Sequence, residues 1–589
     1  MILNALVDYY ETLAKQGKAA RPGWGNAKVS FALELGGGGE LLRVAPLSSP
    51  SPDGKKSVPQ TIILPLQFKR SGSNAPSYFL CDNAQYCLGI ENGKVTEKSK
   101  RCFRIFREYH NSMLNNANSM PSQTFLKFIN QWNPDDALEN PVIQENLILI
   151  MSGGNFVFRI ASTHEYIQNE SEVIEIWNNI QNLQGEKAIP GICLVTGKRA
   201  EIARIHNSVK GIQTSTLSPN GWTLVGFDKE AFCSYGKEHS FNAPVGKYAA
   251  FAYTTALNTL LADRDHVRRF GDATVVFWAE DAEPAYQTAL ADFLDGGGKK
   301  ITNDELKSCM EALSSGKAPY FDGVELRPEN PFYILALSPN AARLSVRFFL
   351  RSSFGDFVKN VHRHYEDINI VGDNRSKFEN IPLWALLRET VNMNSKNKDA
   401  SPEMAGDALR AILSGGSYPS TLYQQTQLRI RAEREITRGR AGIIKAYLTR
   451  MQNNEKYREA LTVELNENTD YQPYILGRLF SVLEGIQQAA NPGINTTIKD
   501  KYFTSACATP AVVFPTLLNL AQKHLRKLDG GLRVHYAKQL SELTGRITET
   551  YPAHHSLYDQ GVFQLGYYHQ TQKRFEKKDK TGANMKEEK

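Results

Sequence analysis

The sequence predicts an α+β fold in which a mixed-sheet N-terminal domain is followed by a C-terminal helical bundle. Two observations predict it. Short segments before residue 385 alternate apolar with polar residues, the period of a strand with one buried face. From about Pro382 onward the apolar spacing becomes helical. We therefore expect a mixed domain at 1–385, a bundle at 386–571 and a charged, disordered tail at 572–589.

The N-terminal part contains both strand and helix patterns. An amphipathic first helix precedes the alternating residues Val29, Phe31, Leu33 and Leu35, which predict a strand. A helical pattern at 282–315, with a break at 295–300, lies between further strands. The other predicted strands are 61–68, 273–280, 332–338 and 343–350, and the last two form a hairpin.

The composition is that of an ordered protein with a mild excess of cations. The net charge of +7 favours polyanions only if the cations gather on one surface. The seven cysteines form no C-x-x-C pair, so we expect reduced thiols and no zinc site. No apolar segment approaches the ~20 residues that span a bilayer, and the first residues do not resemble a signal peptide. We expect a soluble, cytoplasmic protein.

Three segments have part of a phosphate-binding or nucleophile motif. Residues 191–199 have five residues between the glycines and Arg199 after the lysine, whereas a Walker A motif needs four residues and Ser or Thr. Gly36–Gly39 is more typical of a hairpin turn than of a phosphate loop. Cys193 and His206 do not indicate a thiol nucleophile, because cysteine is commonly just buried. No cofactor is expected.

Two groups of acidic and histidine residues are candidates for a metal-dependent nuclease. Neither has a recognised metal-ligand spacing. The first lies among arginines with which its carboxylates can pair, and the second is typical of a solvated helix face. A nuclease therefore stays open as the alternative to a non-catalytic protein. The groups are Asp263, Asp265 and His266, and His362, His364, Glu366 and Asp367.

A basic helix is predicted at 428–450. At ~100° per residue, four of its cations fall on one face, opposite three apolar residues, which suits contact with a phosphate backbone. The alternative is that the charges solubilise the helix and pair with Glu433 and Glu435. The four cations are Arg431, Arg434, Arg438 and Lys445, and the apolar residues are Ile436, Ile443 and Tyr447.

Two further segments present basic residues. In the predicted strand 343–350, Arg343 and Arg347 belong to a polar face, which a solvent-facing sheet also explains. A second helical region carries a larger cluster, and two basic helices can share one groove. This cluster contains Lys523, His524, Arg526, Lys527, Arg533, His535 and Lys538.

A long block at 193–261 resembles the Csd-type large subunit of the type I-C CRISPR Cascade complex. Agreement continues at 1–14, 68–89 and 332–350, so the match covers most of residues 1–390. The resemblance implies a non-catalytic scaffold that recognises the short PAM in double-stranded DNA and helps to open the duplex, while guide pairing reads the target. The implied partners are guide RNA, target DNA, the backbone, 5′-handle-binding and small subunits, and a recruited helicase-nuclease.

The family resemblance also suggests where the PAM is read. In this family the PAM-sensing elements lie in the N-terminal domain, and we assign them to the loop containing Lys69, Arg70, Ser71 and Asn74. The Asn74 amide supplies a donor and an acceptor for base edges, and Lys69 and Arg70 can hold neighbouring phosphates. An ordinary polar hairpin tip is the alternative.

The C-terminal bundle would resemble the Cascade small subunit, which lines the path of the displaced strand. In this family a separate small subunit can arise by internal translation, and Met451 or a non-methionine start such as Val463 are candidates. A third interpretation is a purely structural assembly protein, in which the basic faces contact only partner proteins.

Overall fold

A computed structural model of the chain confirms the α+β fold, with mixed sheets in the N-terminal part and helices in the C-terminal part. Its contacts divide the chain into two compact units. Unit 1 contains Leu3–Asn207 and Gly226–Ala256, and unit 2 contains Ser208–Val225 and Leu257–Lys589. The residues that the structure describes are 1–47, 49–50, 57–67, 76–183, 189–212, 221–227, 229–295, 303–341, 343–372, 379–396, 398–452 and 454–584.

Unit 1 mixes short strands with helices. Its helices are α1 Ile2–Lys15, α2 Ala84–Cys87, α3 Glu97–Met113, α4 Met120–Gln131, α5 Pro141–Met151 and α6 Ser171–Leu183, and α7 Lys247–Ala262 contains the boundary with unit 2. Its strands are β1 Trp24–Val29, β2 Phe31–Leu35, β3 Leu41–Pro46, β4 Ser49–Pro50, β5 Ser57–Val58, β6 Gln60–Pro65, β7 Cys81–Asn83, β8 Asn155–Ile160, β9 Pro190–Ile192 and β10 Arg199–Glu201.

The main sheet of unit 1 has the strand order β3-β2-β8-β7 and is mixed, because β2 and β8 run parallel while the outer pairs are antiparallel. The expected single buried face of β2 is wrong, since every residue of this strand is buried. One face carries the phenylalanine core around Phe106, Phe125 and Phe158, and the other packs Ala32 against Leu64 and its neighbours. Glu34 is tolerated in this strand because Arg159 on β8 donates to it at 2.9 Å.

Both glycine-containing segments that were weighed as phosphate loops are hairpin turns. Gly39 has a φ of 92° and closes the turn between β2 and β3 by donating to the carbonyl of Gly36 at 2.9 Å. Residues 193–198 connect β9 to β10, with the Cys193 amide donating to the carbonyl of Lys198 at 2.9 Å. A strand rather than a helix follows this second turn, so a Walker A geometry is excluded there.

Unit 2 begins with an antiparallel sheet and continues as helices. Its strands are β11 Val267–Phe270, β12 Ala273–Ala279, β13 Tyr320–Phe321, β14 Val324–Glu325, β15 Pro331–Asn340 and β16 Arg343–Ser353. Its helices are α8 Pro284–Leu294, α9 Asn303–Ser314, α10 Phe354–Ile368, α11 Leu383–Arg388, α12 Pro402–Ser414, α13 Ser420–Glu433, α14 Arg438–Thr449, α15 Gln472–Ala490, α16 Ile498–Ala508, α17 Pro510–Leu525, α18 Gly530–Gly545 and α19 Leu557–Asn584.

The sheet of unit 2 has the order β11-β12-β15-β16, and the predicted hairpin of the last two strands is confirmed. The expected boundary near residue 385 does not separate two cores. One apolar cluster runs from Val275 on β12 through Phe357 on α10 to Leu409 on α12 and Ala446 on α14. The first helices of the C-terminal part therefore cover this sheet. For this reason the main division between the two units lies after Ala256 and not near residue 385.

The helices α15 and α19 form the centre of the second core of unit 2, around Leu479 and Phe563. A methyl group built on Gly477 would overlap the carbonyl oxygen of Phe563, and one on Gly566 would overlap that of Tyr474. The two backbones can lie this close only because neither glycine has a side chain.

The helix α19 also corrects the expected disordered tail. It continues to Asn584, and Arg574 donates to the Ser481 carbonyl at 2.9 Å and to the Gln488 side chain at 2.8 Å. Arg574 is therefore part of the packed helix pair, which a local charge count does not reveal.

Substituting Gly477→Ala should destabilise unit 2. The added methyl group has to push two backbones apart, and overpacking of this kind costs roughly 1–3 kcal/mol. Gly406→Ala on α12 is the matched control, because nothing lies within 4 Å of its Cβ position and alanine favours a helix. Chemical denaturation followed by circular dichroism would measure both, and equal stability of the Gly477→Ala variant and the wild type would contradict the close packing.

Candidate nucleic-acid interface

The predicted PAM loop, with Lys69, Arg70, Ser71 and Asn74, lies outside the described residues. The chain that follows it is firmly held. Phe79 stacks between His110, at 5.4 Å between ring centroids, and Trp177, at 5.1 Å. The Leu80 amide donates to Nε2 of His110 at 2.9 Å, and Nδ1 of the same ring lies 2.8 Å from the Phe106 carbonyl. Burial lowers the pKa of His110 to about 3, so the ring is neutral and can accept this bond.

The basic helix predicted at 428–450 is two helices, so the prediction of one cationic face is wrong. The helix α13 ends at Glu433, and Arg434 adopts a left-handed conformation with a φ of 57°. Thr437 then caps α14 by accepting from the Arg440 amide at 3.1 Å. Because the helix axis is broken between them, the four predicted cations do not form one line.

Two of these four cations have structural roles. Nζ of Lys445 donates to the carbonyl oxygens of Glu366 and Asp367 at 3.1 and 2.9 Å, in the last turn of α10, and the side chain is only 5% exposed. Burial lowers the pKa of Lys445. Arg438 donates to the carbonyls of Ile370 and Glu379 at 3.2 and 3.1 Å.

The other two cations of this group, Arg431 and Arg434, are exposed. Arg431 donates to Gln560 at 2.8 Å. Glu433 ion-pairs with Arg429 and Arg440, so part of the basic charge of this segment is neutralised within it, as the alternative interpretation expected.

The strand β16 does not present the regular basic face that alternation predicted. A bulge opposite Ala336 and Leu337 makes Arg347 an extra residue in the ladder, and Val346 becomes exposed next to it. Arg347 donates to Asp272 at 2.8 Å, and Arg343 is half-buried at the start of the strand.

The members of the second predicted cluster are exposed except for His524, which is half-buried. Lys523, Arg526 and Lys527 lie at the end of α17 and in the short turn that follows it, and α18 begins directly after Asp529. No ion pair joins them to a carboxylate within the part of the chain that the structure describes. We call this the α17–α18 surface, and its exposed members are Lys523, Arg526, Lys527, Arg533, His535 and Lys538.

The helix α18 is unusually open for a helix of its length. Its buried residues are Leu540 and Leu543, near its end, whereas Leu532 and Val534 in its first turns are exposed. The first half of α18 is therefore accessible from several sides. An extended ligand can contact its cations without displacing a packed neighbour.

The first nuclease candidate is engaged in local structure. The Asp263 carboxylate accepts from the Asp265 amide at 2.9 Å and lies 3.0 Å from Nδ1 of His266, rather than pairing with an arginine as expected. His266 is buried, which lowers its pKa. Among the residues that the structure describes, no group of three or more His, Cys, Asp or Glu side chains could hold a metal ion.

The second nuclease candidate is not a solvated helix face. His364 is buried and shares a 2.6 Å hydrogen bond with the Tyr418 hydroxyl, and Asp367 accepts from the buried Arg450 at 2.6 Å. In the other two members, Nε2 of His362 lies 3.6 Å from Oε1 of Glu366.

The pair Cys193 and His206 is also explained by structure, because each residue has a partner of its own. Nδ1 of His206 shares a 2.7 Å hydrogen bond with the Tyr253 hydroxyl. The Thr196 amide donates to Sγ of Cys193 at 3.5 Å inside the β9–β10 turn.

A basic face on α3 was not among the sequence predictions. Lys100, Arg104 and Arg107 follow one another at i, i+4 and i+7, which places them on one side of the helix. The adjacent side is buried through Phe103 and Phe106. Arg104 is exposed, whereas Lys100 and Arg107 are half-buried. The signal was available in the sequence as this spacing, but the cations are less densely clustered than those at 428–450.

None of the described helices combines the length and the apolar character that a bilayer span requires.

The C-terminal helices present a group of exposed cations, and a surface of this kind attracts polyanions. The model of the family described as CRISPR-associated protein (Cas_Csd1) matches residues 6–575. The chain therefore belongs to the Csd1 family, and its resemblance to the large subunit of type I-C Cascade is confirmed. No curated protein matches the chain.

The structural role of Lys445 can be tested by stability. Lys445→Met keeps the apolar stem but removes the donor for two carbonyls of α10, and leaving buried acceptors unpaired costs about 1–3 kcal/mol. Lys523→Met removes an exposed cation and should leave the unfolding midpoint unchanged. If the two variants unfold at the same denaturant concentration, Lys445 is not a helix cap.

Proposed function

We propose that this chain is the non-catalytic large subunit of a type I-C RNA-guided surveillance complex in the cytoplasm. In this role it recognises the PAM in double-stranded DNA, aids duplex opening, stabilises the R-loop and recruits the helicase-nuclease for antiviral defence. The observation that carries the proposal is the family match over residues 6–575. Its partners are guide RNA, target DNA, and the backbone, 5′-handle-binding and small subunits.

The α17–α18 surface is the proposed backbone contact in the C-terminal helices. Its cations are exposed, closely spaced along the chain and not neutralised by described carboxylates. Such a surface releases counterions from a phosphate backbone without reading sequence, which is what a protein that relies on guide pairing requires. Arg431 and Arg434 are retained as exposed secondary contacts, whereas the bonds of Arg343, Arg347, Arg438 and Lys445 within the chain favour structural roles.

The proposed PAM reader is the loop with Lys69, Arg70, Ser71 and Asn74. The supporting observation is the fixed position of Phe79 and Leu80 against His110, a few residues beyond it. A base-reading loop works best when at least one of its ends is rigid, because ordering entropy would otherwise reduce affinity.

An internally translated small subunit is part of the proposal, and the packing of α19 bears on it. A product that starts at Met451 or Val463 keeps α15 to α19 but lacks α13 and α14. Those two helices supply Tyr423 and Ile444 to the same core, and a methyl group on Gly561 of α19 would overlap Tyr423. The free product would therefore expose this face of α19 and need another surface to cover it.

The backbone role of the α17–α18 surface predicts a change in salt dependence. In the reconstituted complex, the Lys523→Ala, Arg526→Ala and Lys527→Ala triple variant should bind guide-matched DNA with a log K versus log salt slope that is shallower by about 2–3, since each lost phosphate contact removes about 0.7–0.9. A control that removes the same charge from exposed positions of unit 2 combines Lys317→Ala, Lys396→Ala and Lys398→Ala.

Equal slopes for the triple variant and its control would remove the α17–α18 surface from the proposal. A wild-type complex that ignores both the guide and the PAM would require the proposed function itself to be withdrawn.

PAM reading by Asn74 predicts a selective loss. Asn74→Ala should weaken binding to a PAM-containing duplex by about 10-fold, within the range for one lost base-edge contact, and leave binding to a pre-opened target unchanged. Ser73→Ala is the neighbouring control. The assignment to Asn74 fails if the variant keeps the full difference between duplexes with and without a PAM.

A further inference from the structure

The basic face of α3 (Lys100, Arg104 and Arg107) has no role in the proposals above. It belongs to unit 1, on a helix that begins with a Thr96–Ser99 capping box and buries Phe103, Phe106 and His110 on the adjacent side. The helix is therefore well anchored. The cations project from a rigid element rather than from a loop, which suits a binding surface.

Helix stability does not explain these cations. Positive charges stabilise a helix in its last turn, and the basic residue in the last turn of α3 is His110. Lys100 lies in the first half of the helix and is balanced there by Glu97 and Asp135. Arg104 and Arg107 form no ion pair with a described carboxylate, and the Arg107 guanidinium lies 6.0 Å from the Phe103 ring centroid.

The polar surface continues beyond the cations. Asn111 follows Arg107 on the same face and forms a reciprocal amide pair with Asn130 of α4, at 2.8 and 3.0 Å. Both residues are exposed at this pair. A ligand on α3 would therefore meet guanidinium groups first and amide donors one turn further on, a combination that phosphate oxygens and sugars accept.

The inner side of the same helix holds the chain that leaves the predicted PAM loop. His110 of α3 accepts from the Leu80 amide at 2.9 Å and stacks on Phe79. One helix thus anchors the residues next to the predicted base-reading loop and also carries the exposed Arg104 and the half-buried Arg107. Contacts to the backbone fix the register in which bases are read, so the two functions belong together.

We infer that the basic face of α3 binds the phosphodiester backbone of the nucleic acid held by the complex, an inference that rests on the proposed function. The backbone can come from the DNA duplex or from the guide RNA, and the chemistry of the contact is the same. An acidic surface of a partner protein is the competing occupant.

The test uses the assembled complex with Arg104→Ala and Arg107→Ala combined. The slope of log K against log salt for guide-matched duplex should become shallower by about 2, because each lost contact removes about 0.9. Lys15→Ala combined with Lys18→Ala removes the same charge from exposed positions of unit 1 and should leave the slope unchanged. Circular dichroism and the unfolding midpoint check that both double variants fold as the wild type does.

A second measurement, the guide RNA retained by the purified complex at fixed salt, distinguishes the two backbones. If the salt slope for duplex becomes shallower while the RNA content stays full, the face contacts DNA. If RNA is lost while the slope stays unchanged, the face contacts the guide RNA. Either result supports the inference. The inference is overturned if the salt slope and the RNA content both keep their wild-type values. If a protein subunit is also lost in that case, the face contacts protein.

Failure of the proposed function gives a different pattern. In that case the wild-type complex binds matched and unmatched duplexes equally. The inference can then still be tested by comparing the salt slopes of the variant and the wild type for unmatched duplex, since a backbone contact on α3 does not depend on the guide sequence.

Discussion

The close contact of α15 with α19 is the constraint on which the C-terminal helices depend. Gly477 and Gly566 let the two backbones touch, and α15 also packs against α16, α17 and α18. Because α15 is surrounded by its neighbours, the helices that pack on it bury the sides that face it. The cations at the end of α17 lie away from that side and are exposed.

The two predicted basic clusters differ in exposure for one physical reason: part of the first is bonded inside the fold, whereas the second faces solvent. Helix ends leave carbonyl groups without partners, and a buried carbonyl needs a donor. Lys445 and Arg438 donate to carbonyl groups at and just beyond the end of α10, so these two cations are hydrogen-bonded inside the fold. At the end of α17 the backbone amides of Lys527 and Leu528 donate to the carbonyls of His524 and Leu525 at 3.0 and 3.2 Å. The side chains of Lys523 and Arg526 are not needed there and remain exposed. Cation density in a sequence therefore does not distinguish a cap from a binding surface.

Local patterns predicted the α+β class, the hairpin of β15 and β16 and the turn at Gly36–Gly39, because each depends on residues close in sequence. They failed where the conformation or burial of a residue depends on packing against residues that are distant in sequence. Nothing near Arg434 signals its left-handed conformation, although Thr437 is a recognisable cap. The full burial of β2 depends on β1 and β6, and the order of α19 beyond residue 572 depends on α15. Of the candidate site, the α17–α18 cluster was predicted and the α3 face was missed, because its cations are spread over two turns.

The proposed function needs few base-reading residues. In it, guide pairing would supply target specificity, so the subunit would have to recognise only a short PAM and hold backbones. Backbone contacts need positive charge at fixed spacing, which a helix face such as the proposed contact on α3 can provide without special geometry. Base contacts need a precisely held loop, and the stacked Phe79, His110 and Trp177 supply rigidity next to it. Substitutions in the helices should therefore change affinity at every sequence alike, whereas substitutions in the loop change the preference for the PAM.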